Sequence, residues 1–525
     1  MNYVKTMFTL SVCALTLACN SQPVEAQGIT APQRPNIVFV FADDLGFGDP
    51  QCYNAASRIP TPNIDELAQE GLRFTDAHSA SSVCSPSRYA FLTGRYAWRD
   101  RLDASVCWQW DPPLLEDSRV TLPEMLKASG YRTACIGKWH LGWTWHDSAG
   151  NPIAPAAGMP SYPQRLTNAQ RQEIGSQVDF RQSMSGGPLS HGFDTYFGDD
   201  VPNFPPYTWF EQDALVTFPS LVKPKEMTGR PGAMAPGWEM EGVMPGLTQR
   251  AVQTIHQWGS EENAEPFFLY MPLTAPHTPI VPAKEFQGTS AAGAYGDYVN
   301  QVDATLGAVI AALEESGLRE NTVIIFSSDN GSPARTGTTH AAGTVLSRFG
   351  HSANGDWRGL KADIWEAGHR IPLIIDWPGL TTAGSSSDGL VCLSDLYATI
   401  AVQLNHTTAV GQCEDSVDFS SLLQDPNAPS SRSSLVHHSL DGTFAIRRGQ
   451  WKLIVDNLGS GGFTKPAQIA PEGDGPLGQL YNLEDDPGET TNLWKQQPEV
   501  VSELSQELNE IRLYSGRRSA THSRK

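Results

Sequence analysis

The sequence has 525 residues, of which 37 are Lys or Arg and 57 are Asp or Glu, so its formal charge is −20. This charge excludes a protein that binds nucleic acid through overall basicity, and no nucleic-acid partner is expected. Hydrophobic residues make up 40% of the chain and charged residues 18%, which is typical of a globular protein and excludes a disordered one.

The first 26 residues have the pattern of an export signal. Lys5 precedes an apolar run over residues 7–19, which is too short to span a bilayer as a mature helix. Two cleavage sites remain open: an ordinary one after Ala26, and a lipoprotein-like one that would leave a lipid anchor on Cys19. We therefore expect an exported protein that is periplasmic or secreted, with outer-membrane anchoring as the alternative. In an oxidising compartment, Cys392 and Cys413 are candidates for a disulfide bond.

Four apolar, β-branched or aromatic runs predict strands that are buried on both faces: residues 36–42, 132–137, 265–272 and 322–327. Each run leads into polar residues, namely Asp43 and Asp44, Lys138 and His140, His277, and Asp329 and Asn330. Because ligands of parallel sheets bind outside the carboxyl ends of the strands, these side chains are expected to meet at one edge.

Helical patterns lie between the predicted strands. One begins at Pro62, with Thr61 as the N-cap and Gly71 beyond its end, and another covers residues 299–318. Alternating strands and helices predict an α/β fold with a mostly parallel sheet. We place the catalytic domain at residues 35–430 and a small α+β subdomain with an antiparallel hairpin at residues 431–525. Residues 150–236 are rich in Pro and Gly and are predicted to form loops on the substrate side.

The carboxylates and the amide at two of the strand ends predict a metal site. Asp43, Asp44, Asp329 and Asn330 offer hard oxygen ligands without His or Cys at neighbouring positions, which favours calcium or magnesium over zinc. A single Asp pair is more often a helix cap. Two pairs on separate buried strands favour a cation, because clustered buried carboxylates repel one another unless they are neutralised.

Cys84 lies in the segment Cys84-Ser85-Pro86-Ser87-Arg88. Pro86 suits the first turn of a helix and Gly94 suits its end, so Cys84 is predicted at a helix N-terminus, where backbone N–H groups favour an anion. A lone Cys is usually a small core residue, but the neighbouring Ser, Pro and Arg argue against that interpretation.

These motifs resemble the formylglycine-dependent type I sulfatases of the alkaline-phosphatase-like superfamily. Residues 84–88 match their Cys-x-Pro-x-Arg signature, and residues 92–95 continue it. The matching blocks follow one another in family order, at residues 35–46, 137–142, 191–194, 328–331 and 365–372. Five-residue motifs recur by chance, whereas an ordered set of this kind does not.

The resemblance implies a mixed, mostly parallel sheet flanked by helices, and a hydrolase of sulfate monoesters. A separate formylglycine-generating or sulfatase-maturating enzyme would oxidise Cys84 to formylglycine, whose hydrate attacks sulfur and then expels sulfate by re-forming the aldehyde. Residues Asp43, Asp44, Asp329 and Asn330, together with the modified Cys84, would hold one calcium ion.

The resemblance also implies roles for the basic residues. Arg88 would orient the aldehyde hydrate, Lys138 would neutralise developing sulfate charge, and His140 would accept a proton from the hydrate. His277 and Lys361 would contact the sulfate, and one of the two would protonate the leaving oxygen. Which one does so is left open.

The sequence says less about the substrate. Export and the loop-rich region favour a sulfated polysaccharide or oligosaccharide, and the charge of −20 favours a pocket that acts on chain ends over a long open groove. Trp108, Trp110, Trp143, Trp145 and Trp209 could stack on sugar rings, although a Trp is more often packed in a core. His351 and Arg358 are weaker substrate candidates, and His191 is expected to support the fold.

Two other functions remain open at this point. One is a phosphoester or phosphonate hydrolase of the same superfamily, and the other is a non-catalytic protein that binds sulfated glycans. The complete set of candidate ligands and the presence of Cys84 and His140 favour the sulfatase.

Overall fold

The computed structural model describes residues 34–153, 166–262, 265–333 and 342–514. The predicted export signal, with its two candidate cleavage sites and Cys19, lies outside these residues. None of the helices in the described ranges is both long and apolar enough to cross a membrane.

Eighteen strands occur in the described ranges. In chain order they are β1 (Asn36–Asp43), β2 (Leu72–Phe74), β3 (Ala77–His78), β4 (Arg132–Ile136), β5 (Thr195–Gly198), β6 (Phe210–Glu211), β7 (Ala214–Leu215), β8 (Leu221–Val222), β9 (Ala233–Met234), β10 (Phe267–Pro276), β11 (Thr322–Ser328), β12 (Leu373–Asp376), β13 (Ser385–Ser387), β14 (Val391–Cys392), β15 (Leu435–His438), β16 (Phe444–Arg448), β17 (Trp451–Ile454) and β18 (Gln479–Asn482).

Eleven α-helices occur in the same ranges. They are α1 (Pro62–Glu70), α2 (Cys84–Thr93), α3 (Leu122–Ala128), α4 (Asn168–Gly175), α5 (Val243–Gly259), α6 (Gly293–Glu315), α7 (Ala342–Phe349), α8 (Glu366–His369), α9 (Asp395–Gln403), α10 (Ser420–Gln424) and α11 (Pro498–Leu513).

A ten-stranded sheet forms the centre of the molecule, in the order β13-β2-β12-β11-β1-β10-β4-β5-β6-β7. The four strands predicted from apolar runs are β1, β4, β10 and β11, and they are neighbours in this sheet. Strand β1 pairs in parallel with β10 and β11, and β10 pairs in parallel with β4. The predicted parallel α/β architecture is confirmed, and the carboxyl ends of these strands share one edge.

Both faces of the sheet are buried, which explains why its strands read as continuous apolar runs. Side chains alternate along β1, so that Phe39 and Phe41 pack into one hydrophobic cluster and Val38 and Val40 pack into another. Helices α2 and α9 contribute to the first cluster, and α1, α5 and α6 to the second. Full burial of each such side chain contributes about 1.5–3 kcal/mol, so the site at the sheet edge rests on a rigid base.

A second sheet, which is antiparallel, forms the centre of the C-terminal part. Strands β15, β16, β17 and β18 pair in that order, and α11 packs on them through Leu504 and Leu508. The predicted hairpin over residues 443–456 corresponds to β16 and β17. Strand β15 also contacts the main body, because Ser81 Oγ and Ser82 N both donate to the carbonyl oxygen of His438.

Several local predictions differ from the structure. Helix α1 begins at Pro62 as predicted, but the Thr61 side chain does not cap it; Thr61 Oγ1 instead accepts from Gln51 N. The helix predicted at 299–318 is α6, which begins six residues earlier and ends at Glu315.

The predicted disulfide bond is wrong. Cys392 packs with Leu435 and Ile446 in the C-terminal cluster, whereas Cys413 belongs to the large cluster of the main body, beside Gly94. Since the two side chains pack in different clusters, no S–S bond joins them.

Candidate active site

The carboxyl ends of β1 and β11 bring the predicted metal ligands together. Asp43 ends β1, Asp44 follows it with a positive φ of 69°, and Asp329 and Asn330 follow β11. Asp329 Oδ1 accepts from Asp44 N at 3.1 Å, and Asn330 Nδ2 donates to Asp44 Oδ1 at 2.7 Å. All four side chains are buried, so parallel pairing of two strands has placed the predicted oxygens in one cluster.

Helix α2 begins at Cys84, as the sequence predicts, and lies beside this cluster. All ten residues of α2 are buried, and Gly94 ends the helix with a φ of 62°, a conformation that glycine adopts at little cost. One oxygen from each of Asp43 and Asp44, Cys84 Sγ and one ring nitrogen of His277 all lie within 4.8 Å of one another. The predicted nucleophile position and metal site are therefore the same site.

Three buried or nearly buried cations face the carboxylates. Lys138 Nζ lies 2.7 Å from Asp43 Oδ2, and Lys361 Nζ lies 2.6 Å from Asp44 Oδ1 and 3.4 Å from Cys84 Sγ. Arg88 donates to Asp329 Oδ2 through Nε and Nη2, at 3.1 and 2.8 Å. Three carboxylates thus face three cations, and each buried charge has an opposite charge within 4 Å.

A glycine allows Lys138 to approach the cluster. Gly137, between β4 and Lys138, has a φ of 139°, and a Cβ there would lie 1.8 Å from the carbonyl oxygen of Pro272 in β10. Only glycine fits this close approach of two backbones, so the chain can turn from β4 directly into the site.

The two histidines of the site make different contacts. His140 Nε2 is 2.8 Å from the carbonyl oxygen of Cys107, and Nδ1 is buried without a hydrogen-bond partner among the described residues. Donation from Nε2–H to that carbonyl leaves Nδ1 as a proton acceptor. His277 Nε2 lies 3.7 Å from Asp44 Oδ2.

Burial and crowded charge shift the acidities within the site. Burial, opposed by Lys361 and reinforced by Asp43 and Asp329, raises the pKa of Asp44 to about 6. Burial also raises the pKa of the Cys84 thiol to about 12, although Lys138 and Lys361 act against this. An unmodified Cys84 would therefore be a thiol and not a thiolate, which is the nucleophilic form.

The sequence analysis missed two carboxylates, Asp199 and Asp200, that follow β5. Asp200 Oδ1 accepts from His140 N at 3.1 Å, and Asp199 is buried with neither oxygen hydrogen-bonded in the described part of the chain. Burial and then Asp200 raise the pKa of Asp199 to about 7. The available signal was the one used for β1, an apolar strand that leads into Asp-Asp.

Other candidates lie outside the site. His351 is buried with Nε2 2.8 Å from Asp49 Oδ1, and Arg358 stacks on Trp365 at 3.6 Å. Buried His191 stacks beside Trp139, which agrees with the support role expected for it.

The structure contradicts sugar stacking for three of the tryptophans and leaves it open for two. Trp110, Trp143 and Trp145 are buried in the main hydrophobic cluster. Trp108 and Trp209 are partly exposed. A Trp in an aromatic-rich loop fills the core as readily as a pocket, and sequence alone does not distinguish the two.

The strand ends of a parallel sheet thus hold carboxylates and cations around the first residue of a buried helix, an arrangement suited to an anionic ligand. Comparison with known proteins identifies the family. A family model described as sulfatase matches residues 35–406.

The similar proteins agree with that match. The chain is 33% identical over 522 residues to an N-acetylgalactosamine-6-O-sulfatase of Bacteroides thetaiotaomicron, covering 95% of this chain and 97% of that protein. It is 31% identical over 516 residues to arylsulfatase A of Bos taurus, covering 93% and 89%. A solved structure from work on glycosaminoglycan metabolism by Bacteroides thetaiotaomicron has a TM-score of 0.75 and 30% identity, covering 92% of this chain and 100% of the other.

The chain belongs to the sulfatase family and is a sulfuric ester hydrolase. Members of this family generally use a formylglycine and a metal ion.

Proposed function

We propose that this sulfatase removes sulfate from a sulfated glycan, using a formylglycine made from Cys84 and a calcium ion held by Asp43, Asp44, Asp329 and Asn330. The observation that carries the proposal is the position of Cys84 at the start of α2. Its Sγ lies in one buried cluster with Asp43, Asp44 and His277, and 3.4 Å from Lys361 Nζ.

The donor set fits a hard divalent cation. Asp43 Oδ1 and Asn330 Oδ1 are both buried and make no hydrogen bond within the described residues, so each has a lone pair available for a ligand. Carboxylate and amide oxygens are ligands of calcium and magnesium. The cluster of Asp43, Asp44 and Cys84 includes one imidazole, that of His277, and one imidazole is too few to favour zinc. When present, calcium would supply positive charge that polarises the sulfate, and the hydrated formylglycine would supply the attacking oxygen.

The cations at the base of the site hold the sulfate and the nucleophile in place. Lys138 is held by Asp43 and can neutralise charge that develops on sulfate oxygens. Arg88 is fixed by Asp329 and by the carbonyl oxygen of Lys138, which lies 3.2 Å from Nη1. These side chains are already in position, so little reorganisation opposes the reaction.

His140 is the proposed proton acceptor. Burial, together with Lys138 and Arg88, holds the pKa of His140 well below its usual range, so the imidazole is neutral at pH 7. With Nε2–H donated to Cys107, the free lone pair is on Nδ1, the atom that would take the proton of the second hydroxyl of the hydrate.

His277 and Lys361 stand at the mouth of the site, where the alcohol departs. They are 8% and 7% exposed, whereas Asp43, Arg88 and Lys138 are 0% exposed. These two are therefore the most exposed of the proposed catalytic side chains, and either can donate a proton to the leaving oxygen.

The relatives suggest a first substrate. Because the chain resembles N-acetylgalactosamine-6-sulfatases over most of its length, we propose 6-sulfated N-acetylgalactosamine at the end of a glycan as the substrate. The low exposure of His277 and Lys361 supports action on chain ends. We also propose that the enzyme is exported, because polymeric glycans occur outside the cell.

The test is sulfate release by protein co-produced with a formylglycine-generating enzyme. We expect release from 6-sulfated N-acetylgalactosamine, none from the corresponding phosphate ester, and a loss of at least about 10³-fold in Cys84→Ala. Mass spectrometry should find an aldehyde at position 84 in the active protein. Equal sulfate release by Cys84→Ala would overturn the mechanism, and phosphate release without sulfate release would overturn the proposed activity.

Metal dependence is tested separately. Dialysis against a chelator should abolish activity and lower the melting temperature, since a ligand that binds only the folded state stabilises it. Calcium should restore both, whereas zinc should not, because the donors are hard oxygens. Full activity after exhaustive chelation would contradict the calcium site.

A further inference from the structure

A cleft opens beside Lys361, where the main body meets the C-terminal sheet. It has a volume of about 360 Å³ and is lined mainly by Arg358, Leu360, Trp365, Thr464, Lys465 and Ile469. This volume lies within the range of about 300–1,000 Å³ found for ligand sites. Its lining combines an aromatic ring, two aliphatic side chains and two cations, a combination suited to a sugar that carries negative charge.

Neither cation of this cleft forms an ion pair within 4 Å in the described part of the chain, although Arg358 interacts with Asp486 at longer range. Arg358 stacks on Trp365, and its Nη1 donates to Tyr481 Oη at 3.1 Å and to the carbonyl oxygen of Glu489. These contacts fix the guanidinium plane and leave further N–H groups for a ligand. The Lys465 side chain is exposed, and its Nζ lies 3.4 Å from the carbonyl oxygen of Gly462.

Asp363, which is adjacent in sequence to the cleft-lining segment, is already hydrogen-bonded. Asp363 is buried, its Oδ1 accepts from Thr464 N at 3.0 Å, and its Oδ2 accepts from Thr464 Oγ1 at 2.5 Å. Its carboxylate is thus directed at Thr464, and the charged side chains among the residues that line the cleft are Arg358 and Lys465. This local positive charge offsets the net charge of −20, which would otherwise repel an anionic glycan.

The cleft lies next to the segment that carries Lys361 into the site. Leu360 directly precedes Lys361, and Ile364 N donates to the carbonyl oxygen of Ser460 at 2.7 Å, which holds the opposite wall against the same segment. Leu360 lines the cleft and Lys361 Nζ lies in the site, so the cleft and the site are joined by two consecutive residues. A sugar attached to the one that loses sulfate can therefore reach the cleft.

We propose that this cleft is a subsite for a second anionic group of the glycan, a carboxylate or a sulfate on the sugar next to the one being desulfated. The proposal deepens the proposed function and depends on it for the identity of the first sugar. Arg358 supplies a planar pair of N–H donors for an oxyanion, Lys465 supplies a mobile charge, and Ile469 and Leu360 contact the apolar face of the ring.

The kinetic test compares three substrates that differ only beside the scissile sugar. They are 6-sulfated N-acetylgalactosamine linked to a uronic acid, the same disaccharide with the carboxyl group reduced to an alcohol, and the same disaccharide with a sulfate in place of the carboxylate. We expect kcat/KM to be about fivefold to tenfold higher for a charged disaccharide than for the reduced one, mainly through KM. Which charged disaccharide is preferred identifies the anion.

Two variants and a control assign the effect to the cleft. Lys465→Gln and Arg358→Gln should each reduce the preference for a charged disaccharide to about twofold or less. Lys495→Gln removes the same charge from an exposed position of the C-terminal part and should leave the preference unchanged. An unaltered preference in both cleft variants, or equal rates of the wild type on all three substrates, would overturn the subsite.

Binding separates failure of the subsite from failure of the proposed function. The affinity of Cys84→Ala for the three disaccharides, measured by calorimetry, requires no turnover. Weaker binding of the charged disaccharides after the additional Lys465→Gln change supports the subsite even if the matured enzyme releases no sulfate. Sulfate release with equal affinity for charged and reduced disaccharides would overturn only the subsite.

Discussion

At the scale of single residues, the orientation of His140 depends on contacts outside the catalytic cluster. His140 has a positive φ of 56°, which costs a non-glycine residue about 1–3 kcal/mol. Asp200 Oδ1 accepts its backbone N–H, and the carbonyl oxygen of Cys107 receives its ring Nε2–H. These two contacts hold the residue and leave the buried Nδ1 without a hydrogen bond in the described chain, so the proposed base depends on residues from two other loops.

The residue that protonates the leaving oxygen can be identified by replacement. Burial lowers the pKa of Lys361, but Asp44 and Cys84 outweigh this, so its pKa is raised above the usual value and it retains its proton. We therefore expect His277 to be the acid. His277→Ala should lower kcat about 10³-fold for a sulfated sugar but only about tenfold for an aryl sulfate with an acidic phenol, which needs no protonation.

The matched comparison is Lys361→Ala, assayed with the same two substrates. A residue that acts only by charge should show similar losses with both. If the losses depend on the leaving group in Lys361→Ala and not in His277→Ala, the assignment is reversed.

At the scale of elements, a series of buried side chains linked by hydrogen bonds joins α8, β3 and β17. Lys452 Nζ lies 3.1 Å from His369 Nε2, and His369 Nδ1 lies 3.0 Å from His78 Nδ1. His78 Nε2 lies 2.9 Å from Asp76 Oδ1. One set of neutral tautomers satisfies every link, with His369 Nδ1–H donating to His78 and His78 Nε2–H donating to Asp76. This series of hydrogen bonds therefore connects the C-terminal sheet to the segment before Cys84.

Lys452 is the charged residue on which this series of hydrogen bonds depends. Its Nζ lies 3.1 Å from Glu366 Oε1 and 2.9 Å from Glu489 Oε1, and all three side chains are buried. Lys452→Met should lower the free energy of unfolding by about 3–5 kcal/mol, because it leaves the buried Glu489 carboxylate without its cation, whereas Glu366 keeps Arg370. Denaturant unfolding measures this, with exposed Lys495→Met as the control. A loss below about 1 kcal/mol would contradict the prediction.

His438 in β15 predicts a pH-dependent stability. Burial lowers its pKa to about 4, so below the unfolded-state value of about 6.5 the unfolded chain binds a proton that the folded chain does not. Stability is therefore lost as the pH falls from 6.5 toward 4, by about 3 kcal/mol for this residue.

Other buried groups titrate in the same range, so the measurement must be a difference. His438→Gln lacks the titrating ring, and its unfolding free energy relative to the wild type should shift in its favour by about 3 kcal/mol between pH 7 and pH 4. A difference that does not change with pH would show that His438 is protonated in the folded state.

At the scale of the whole molecule, the two sheets form one structural unit. Ala80, Ala90 and Tyr96, at the helix that carries Cys84, belong to the same hydrophobic cluster as Leu435 and Leu453 of the C-terminal sheet. Residues Ser81 and Ser82 donate to the backbone of β15. The proposed boundary near residue 430 separates two sequence patterns, an α/β pattern before it and an antiparallel hairpin pattern after it. The contacts across this boundary are extensive.

Removing residues 431–525 should therefore abolish soluble expression or activity. Deletion would expose the cluster beside α2 and leave the Ser81–Ser82 backbone without its β15 partner. The combined free-energy cost of these two changes exceeds the usual free energy of unfolding of a domain. The test compares expression, melting temperature and sulfate release with those of the chain without only residues 515–525. A truncated protein with full activity would show that the catalytic part folds alone.

The sequence by itself determined the four central strands, the start of α2 at Cys84 and the clustering of Asp43, Asp44, Asp329 and Asn330. These follow from local signals, because continuous apolar runs form buried strands and the carboxyl ends of parallel strands share an edge. Tertiary structure alone decided the partners of His140, the burial of Trp143 and Trp145, the separation of Cys392 from Cys413 and the series of hydrogen bonds through Lys452. Each of these depends on contacts between residues far apart in sequence, and such contacts leave no periodic pattern in the chain.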